Sequence, residues 1–288
     1  MQSFLTPGPL TLEIRNAAGL VEIDLTDTTT STVDVQPSSG HPLGFLDDVF
    51  RAFGNRGRGR EEAPDTADVL DLVRIEHRQV DGGPSSLIID TDPARATWRA
   101  AFTIRITAPT GSNIRVQCQS ADLRQTGVAA LAEVRTASGD IRLDEVHRNS
   151  AVQTASGDVA VRRAGADLEV RTASGDVEIG PIAGNAVVHT TSGDIRLAAT
   201  GGNVSARSVS GDVRVTDAIS GLTEITAVTG DVEIGVHAGS RAAVNLNTLT
   251  GDTHSDFEVL DTLPDDTAPT LSIRVKTTSG DIRLRRAA

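Results

Sequence analysis

One short motif recurs along this chain at a nearly constant interval, and it constrains the fold more than any other feature. Thr-Ala-Ser-Gly-Asp stands at 136–140, 154–158 and 172–176, and variants end at Asp194, Asp212, Asp231, Asp252 and Asp281. The motif glycines are Gly139, Gly157, Gly175, Gly193, Gly211, Gly230, Gly251 and Gly280, so successive differences are 18, 18, 18, 18, 19, 21 and 29. Eighteen residues before Gly139, Ser120-Ala121-Asp122 reads as a decayed copy. Such a period marks repeats that bury their apolar faces only by stacking on one another.

The flanks alternate with period two. Seven and five residues before each glycine the chain is apolar, as at Leu168 and Val170 or Ile273 and Val275. Two and four residues after it the chain is apolar again, as at Val177 and Ile179 or Ile282 and Leu284. That is the pattern of half-buried strands. The inward parity switches across Ser-Gly-Asp, so the backbone turns a corner there, where glycine is permissive. Each repeat then reads as strand, corner, strand and return, and the corners lack the two-residue turns of hairpins. The expectation is an all-β, single-stranded parallel β-solenoid (β-helix) of about 18 residues per coil, right-handed by the crossover rule.

Two columns of polar residues run through the repeat. Three residues before each glycine stands a small residue, mostly threonine, with Cys118 in the equivalent slot. This predicts a hydroxyl ladder along the stack and an inert, packed thiol. The residue after each glycine is aspartate, and stacked carboxylates about 4.8 Å apart repel. The favoured compensation is a backbone N–H at each aspartate's own corner; calcium is the rival, but the Gly-Gly-x-Gly-x-Asp spacing of calcium rolls is missing. Outward columns mix signs, as with Glu178 and Arg196 or Arg135, Arg171 and Arg207, which reads as a solvated face or as an anion-binding strip.

The template fits once more around Gly19, with Leu12, Ile14, Val21 and Ile23 inward. Residues 1–110 therefore read as degenerate coils continuous with the regular solenoid of 111–288, interrupted by an insertion at about 44–66. Within it Phe45, Leu46, Val49, Phe50 and Phe53 share one face of a short amphipathic helix, followed by Arg56, Arg58 and Arg60. This helix is either an end cap or a partner-binding element. A second insertion, 253–269, is acidic and reads as a surface loop.

Composition narrows the task. Net charge is −12, which disfavours nucleic acid. The single cysteine excludes an internal disulfide. Met1–Leu10 lacks the basic and apolar regions of a signal peptide, and no apolar run would span a bilayer, which predicts a cytoplasmic protein with at most peripheral membrane contact. The six histidines show no metal-ligand spacing, and there is neither a Gly-x-Ser-x-Gly elbow nor a phosphate-binding loop.

The repeated Thr-Ala-Ser-Gly-Asp-Val/Ile, the opening stretch Gly8–Asn16 and the Ala108–Ser112 segment together resemble the bacterial β-strand-repeat family known as putative adhesins, related to the toast-rack domain of unknown function. The resemblance implies a β-solenoid and brings no catalytic residues. The expectation is a non-enzymatic scaffold or adhesin-like interaction protein with no cofactor and no metal. Its partner would be a protein or envelope component, bound through Phe45, Phe50, Phe53, Arg56, Arg58 and Arg60. The alternatives are a self-assembling, homo-oligomeric solenoid and a carbohydrate-binding or carbohydrate-active β-helix.

Overall fold

The computed structural model describes residues 1–38, 73–79, 85–91, 101–257 and 269–287. The proposed helix at Phe45–Phe53, the arginines after it and most of the second insertion lie outside the described residues. Every regular element described is a strand. The N-terminal part holds β1 (Gln2–Leu5), β2 (Thr11–Thr26), β3 (Thr30–Pro37), β4 (Val73–Arg78), β5 (Ser86–Thr91), β6 (Phe102–Pro109) and the long β7 (Asn113–Ala129). Thereafter each coil supplies two strands. They are β8 (Leu131–Arg135) with β9 (Ile141–Val146), β10 (Ser150–Gln153) with β11 (Val159–Ala164), and β12 (Leu168–Arg171) with β13 (Val177–Ile179). The series continues with β14 (Ala186–His189) and β15 (Ile195–Thr200), β16 (Val204–Ser210) and β17 (Val213–Ala218), then β18 (Gly221–Thr229) and β19 (Val232–Val236). It ends with β20 (Ala242–Thr250) and β21 (Thr253–Ser255), and β22 (Leu271–Ser279) and β23 (Ile282–Arg286).

Pairing follows the repeat. β8, β10, β12, β14, β16 and β18 form one parallel face, with Val134, Val152, Val170, Val188, Ala206 and Ile225 in register. β9, β11, β13, β15, β17 and β19 form the other, with Ile141, Val159, Val177, Ile195, Val213 and Val232 in register. From β8 to β19 the inward positions are those the alternation singles out, and they are buried. β-branched side chains dominate because identical positions must pack on one another at strand spacing.

The stack does not follow chain order at its ends. β2 lies between β7 on one side and β5 with β6 on the other, all parallel. At the far end, β22 and β23 sit directly on β18 and β19, and β20 and β21 lie outside them. The last coil in sequence is thus the second-to-last in space. Composition accounts for it. Leu271, Ile273, Val275, Ile282 and Leu284 are all at most 2% exposed, and each such burial is worth roughly 1.5–3 kcal/mol. The 242–255 coil offers Thr253 and Ser255 where the coils after the other motif glycines have two aliphatic residues, so it loses least by being outermost. The acidic insertion therefore begins later than expected, since Thr253–Ser255 is a strand.

Candidate functional site

The corners show how the polar columns are used. Asp140, Asp158, Asp176, Asp194 and Asp212 each donate a backbone N–H to the Oδ1 of the aspartate one coil earlier, at 2.9–3.1 Å. The ladder runs on from Asp231 to Asp212, from Asp281 to Asp231 and from Asp252 to Asp281. The expected backbone acceptor role is there, but the N–H comes from the next coil instead of the aspartate's own corner. The charge repulsion is offset by one hydrogen bond per rung and locally by arginine, as where Arg196 reaches both Asp176 and Asp194.

The threonines are corrected in the opposite sense. Thr154, Thr172 and Thr190 donate to the carbonyls of Ser156, Ser174 and Ser192 at 2.9–3.1 Å, within their own corner, whereas Thr248 donates along the stack to the Gly280 carbonyl at 3.0 Å. Cys118 stands in this column opposite Asn16, 8% exposed, and burial pushes its thiol up to about 11. Such a thiol stays protonated at neutral pH and is a poor nucleophile. A second ladder escaped the sequence reading. Asn185 N donates to Asp167 Oδ1, Asn203 N to Asn185 Oδ1 and Leu222 N to Asn203 Oδ1, at 2.8–3.0 Å. Its signal, an Asx residue at 167, 185 and 203, was present in the same period of 18.

Asp176 gives a direct test of the corner ladder. Its carboxyl is held below the usual range by the Asp194 N–H and then by the Arg196 guanidinium. Asp176→Ala leaves that N–H to water and is expected to cost about 1 kcal/mol, with Asp176→Asn recovering only part of it by keeping an uncharged acceptor. A depressed folded-state pKa means that the stabilisation is complete above the unfolded value of about 3.9 and is lost as pH falls through the folded value. Urea midpoints against pH should therefore show the gap between wild type and Asp176→Ala narrowing below about pH 4, toward the gap left by Asp176→Asn. A gap that persists unchanged in acid would contradict this role.

The outward faces offer the only extended surface chemistry among the described residues. One groove, of about 520 Å³, runs across β2, β7, β8, β10 and β12. Its walls are two columns in register: Glu13, Arg115, Glu133, Ala151 and Glu169 beside Arg15, Gln117, Arg135, Gln153 and Arg171. Ala151 opens the floor, because it is the one rung of its column without a long side chain. Arg115 bridges Glu133 at 3.1 Å and Glu13 at 3.8 Å, and Arg171 pairs with Glu169 at 2.5 Å. Arg135, between Gln117 and Gln153, makes no ion pair among the described residues. Farther along, His189 lies between Arg171 and Arg207, and burial and these two cations lower its pKa. The arrangement can hold charged groups of both signs. Among the described residues no three His, Cys, Asp or Glu side chains gather as metal ligands, and no helix is long and apolar enough to cross a membrane.

Parallel coils in register, two strands to a coil and a Ser-Gly-Asp corner define a parallel β-solenoid. The family model described as Toastrack DUF4097 matches residues 103–180 and 133–285, more than half of the chain, and the chain belongs to that family. No curated protein matches. Among solved structures, a "putative adhesin" from Bacteroides fragilis is 11% identical with a TM-score of 0.41, covering 98% of this chain and 95% of its own. A second "putative adhesin", from Parabacteroides distasonis, is 11% identical at a TM-score of 0.36, covering 98% of this chain and 95% of its own. A "putative cell adhesion protein" from Clostridium sporogenes is 7% identical at a TM-score of 0.22, covering 99% and 98%. These overlaps are too loose to bear on fold or task.

Proposed function

We propose that the protein is a non-enzymatic, adhesin-like scaffold whose charged sheet face binds a protein or envelope-associated partner. The groove over β2 to β12 carries this reading, because its two columns hold Glu and Arg side chains in fixed register, with Arg135 making no ion pair among the described residues. A rigid, pre-ordered charged face loses little entropy on binding and favours partners of complementary pattern. In this reading residues 1–110 and 111–288 act as one continuous, right-handed body in the cytoplasm. The segment bearing Phe45, Phe50, Phe53, Arg56, Arg58 and Arg60 is a second contact with the same partner.

The test is capture from lysate, with membranes kept as a separate fraction. The baits are wild type, a variant carrying both Arg115→Glu and Arg135→Glu, and a deletion of 44–62. Both arginines are exposed, so the double variant keeps its fold at a cost of roughly 1 kcal/mol or less per lost pair. A partner recovered by wild type is expected to be lost by the double variant and weakened by the deletion. Equal recovery by all three baits would contradict the proposal.

A further inference from the structure

The two ends of the stack are built differently. The N-terminal end closes with antiparallel strands, β4 on β5, β3 on β6 and β1 on β3, which break the parallel pattern. Among the described residues the C-terminal end stops at β20 and β21 with the pattern intact. β20 pairs with β22 along one edge, and among the described residues nothing pairs with the other. Edge strands are normally guarded by charge, proline, a bulge or brevity. β20 has none of these: Ala-Ala-Val-Asn-Leu-Asn-Thr-Leu-Thr is nine residues without a charge or a proline. Its core-facing Val244 is 40% exposed, whereas its neighbour in register, Ile273, is 0% exposed. The Asp252 carboxylate accepts no backbone N–H among the described residues, whereas Asp231 and Asp281 each accept one.

We propose that this end is an interface with a second copy of the chain, in which β20 pairs antiparallel with its counterpart about a two-fold axis. Closed pairs of like chains are isologous, with the same patch on both sides. Joining two like ends so that each sheet face runs on into its counterpart reverses the strand direction, hence the antiparallel ladder. Full overlap of 242–250 with itself places Leu246 opposite Leu246 of the second copy. Inward residues then face inward residues, with Val244 opposite Thr248, and the two cores become one. Outward, Asn245 faces Asn247, two uncharged amides that can hydrogen-bond across the ladder.

Charge supports this register. Position 241 falls opposite position 251 of the second copy, beside Asp252. Arg241 has no ion pair among the described residues, and the pairing brings it to the Asp252 carboxylate, which ends the aspartate ladder with no backbone donor among those residues. Two such contacts form, one at each end of the paired strands. Each copy carries a net charge of −12, so the copies repel at long range and association should tighten as salt screens them. A charged partner would instead be expected to loosen.

The test is the mass of the full chain in solution by light scattering and sedimentation across a wide concentration range. Wild type is expected to reach twice the 30.1 kDa of one chain. Asn245→Lys with Asn247→Lys sets like charges opposite one another at outward positions. It should weaken association roughly tenfold or more with an unchanged circular dichroism spectrum. Arg241→Glu should weaken it too, and Arg241→Glu with Asp252→Arg should restore it. The proposal is overturned by a wild type that stays monomeric throughout, as when another part of the chain covers the end. It is equally overturned by dimers indifferent to the lysine pair, by a charge swap that fails to rescue, or by open filaments.

Discussion

Gly175→Ala is expected to destabilise the protein by more than about 3 kcal/mol, a large effect for a single added methyl group. Two causes act together. Gly175 has φ of +132°, where a side chain is strained at a cost of roughly 1–3 kcal/mol. Its added Cβ would also lie 2.2 Å from the carbonyl oxygen of Gly157 and 2.6 Å from its carbon. Those atoms are backbone of the neighbouring coil, so relief requires the coils to part and to lengthen the hydrogen bonds between them. The column repeats the arrangement at Gly157, Gly193 and Gly211, which explains why the corner keeps glycine while its neighbours vary. Gly8→Ala is the control: nothing lies within 4 Å of its Cβ, and its effect should stay within about 0.5 kcal/mol. Denaturant midpoints for the two variants give the comparison. A Gly175→Ala protein as stable as Gly8→Ala would mean that the corners are not stacked this closely.

Removing residues 271–288 is expected to unfold two coils, not one. β22 and β23 lie between the 221–236 coil and the 242–255 coil, so their loss strips β20 and β21 of the only strands they pair with among the described residues. Five aliphatic side chains leave the core, about 10 kcal/mol of burial at roughly 1.5–3 kcal/mol each. Ile225, Val232 and Ile234 beneath them become exposed. Contacts in a stack of repeats are confined to neighbours, so coils from 113 to 200 should hold. Hydrogen exchange reads this directly. Amides of 242–250 should lose protection in the truncated protein, while those of 168–197 keep it. If 242–250 stays protected, that coil has docked on 221–236 in chain order.

The contrast between the two end coils shows what could be read from the residues alone. Period, parity and corner position were legible, because stacking forces the same side chain into the same place in every coil. The glycine column was legible for the same reason. Partner identity was not. When every coil repeats at 18, a group in the same corner and its equivalent one coil away share one motif position, so the motif does not tell which N–H the Asp column accepts or which carbonyl most of the Thr column reaches. The order of the last coils was hidden for a related cause. Gly230, Gly251 and Gly280 carry interchangeable corners, and only the substitution of Thr253 and Ser255 for aliphatic residues marks which coil belongs outside. The groove needed the register of β2 on β7, which joins residues about a hundred positions apart; no local pattern announces that Arg115 reaches both Glu13 and Glu133. Phe45, Phe50, Phe53 and the three arginines after them stand as a proposal from pattern alone.

The arrangement of the C-terminal coils can be tested by cross-linking. Thr226, Lys276 and Asn247 point outward at equivalent positions of β18, β22 and β20. Adjacent strands lie about 4.8 Å apart, within disulfide reach, and next-but-one strands at about twice that distance lie outside it. In a Cys118→Thr background, Thr226→Cys with Lys276→Cys is predicted to oxidise to an internal disulfide in the folded monomer, as is Lys276→Cys with Asn247→Cys. Thr226→Cys with Asn247→Cys is predicted to remain reduced. An internal disulfide between 226 and 247, with none between 226 and 276, would show coils stacked in chain order and contradict the fold described above.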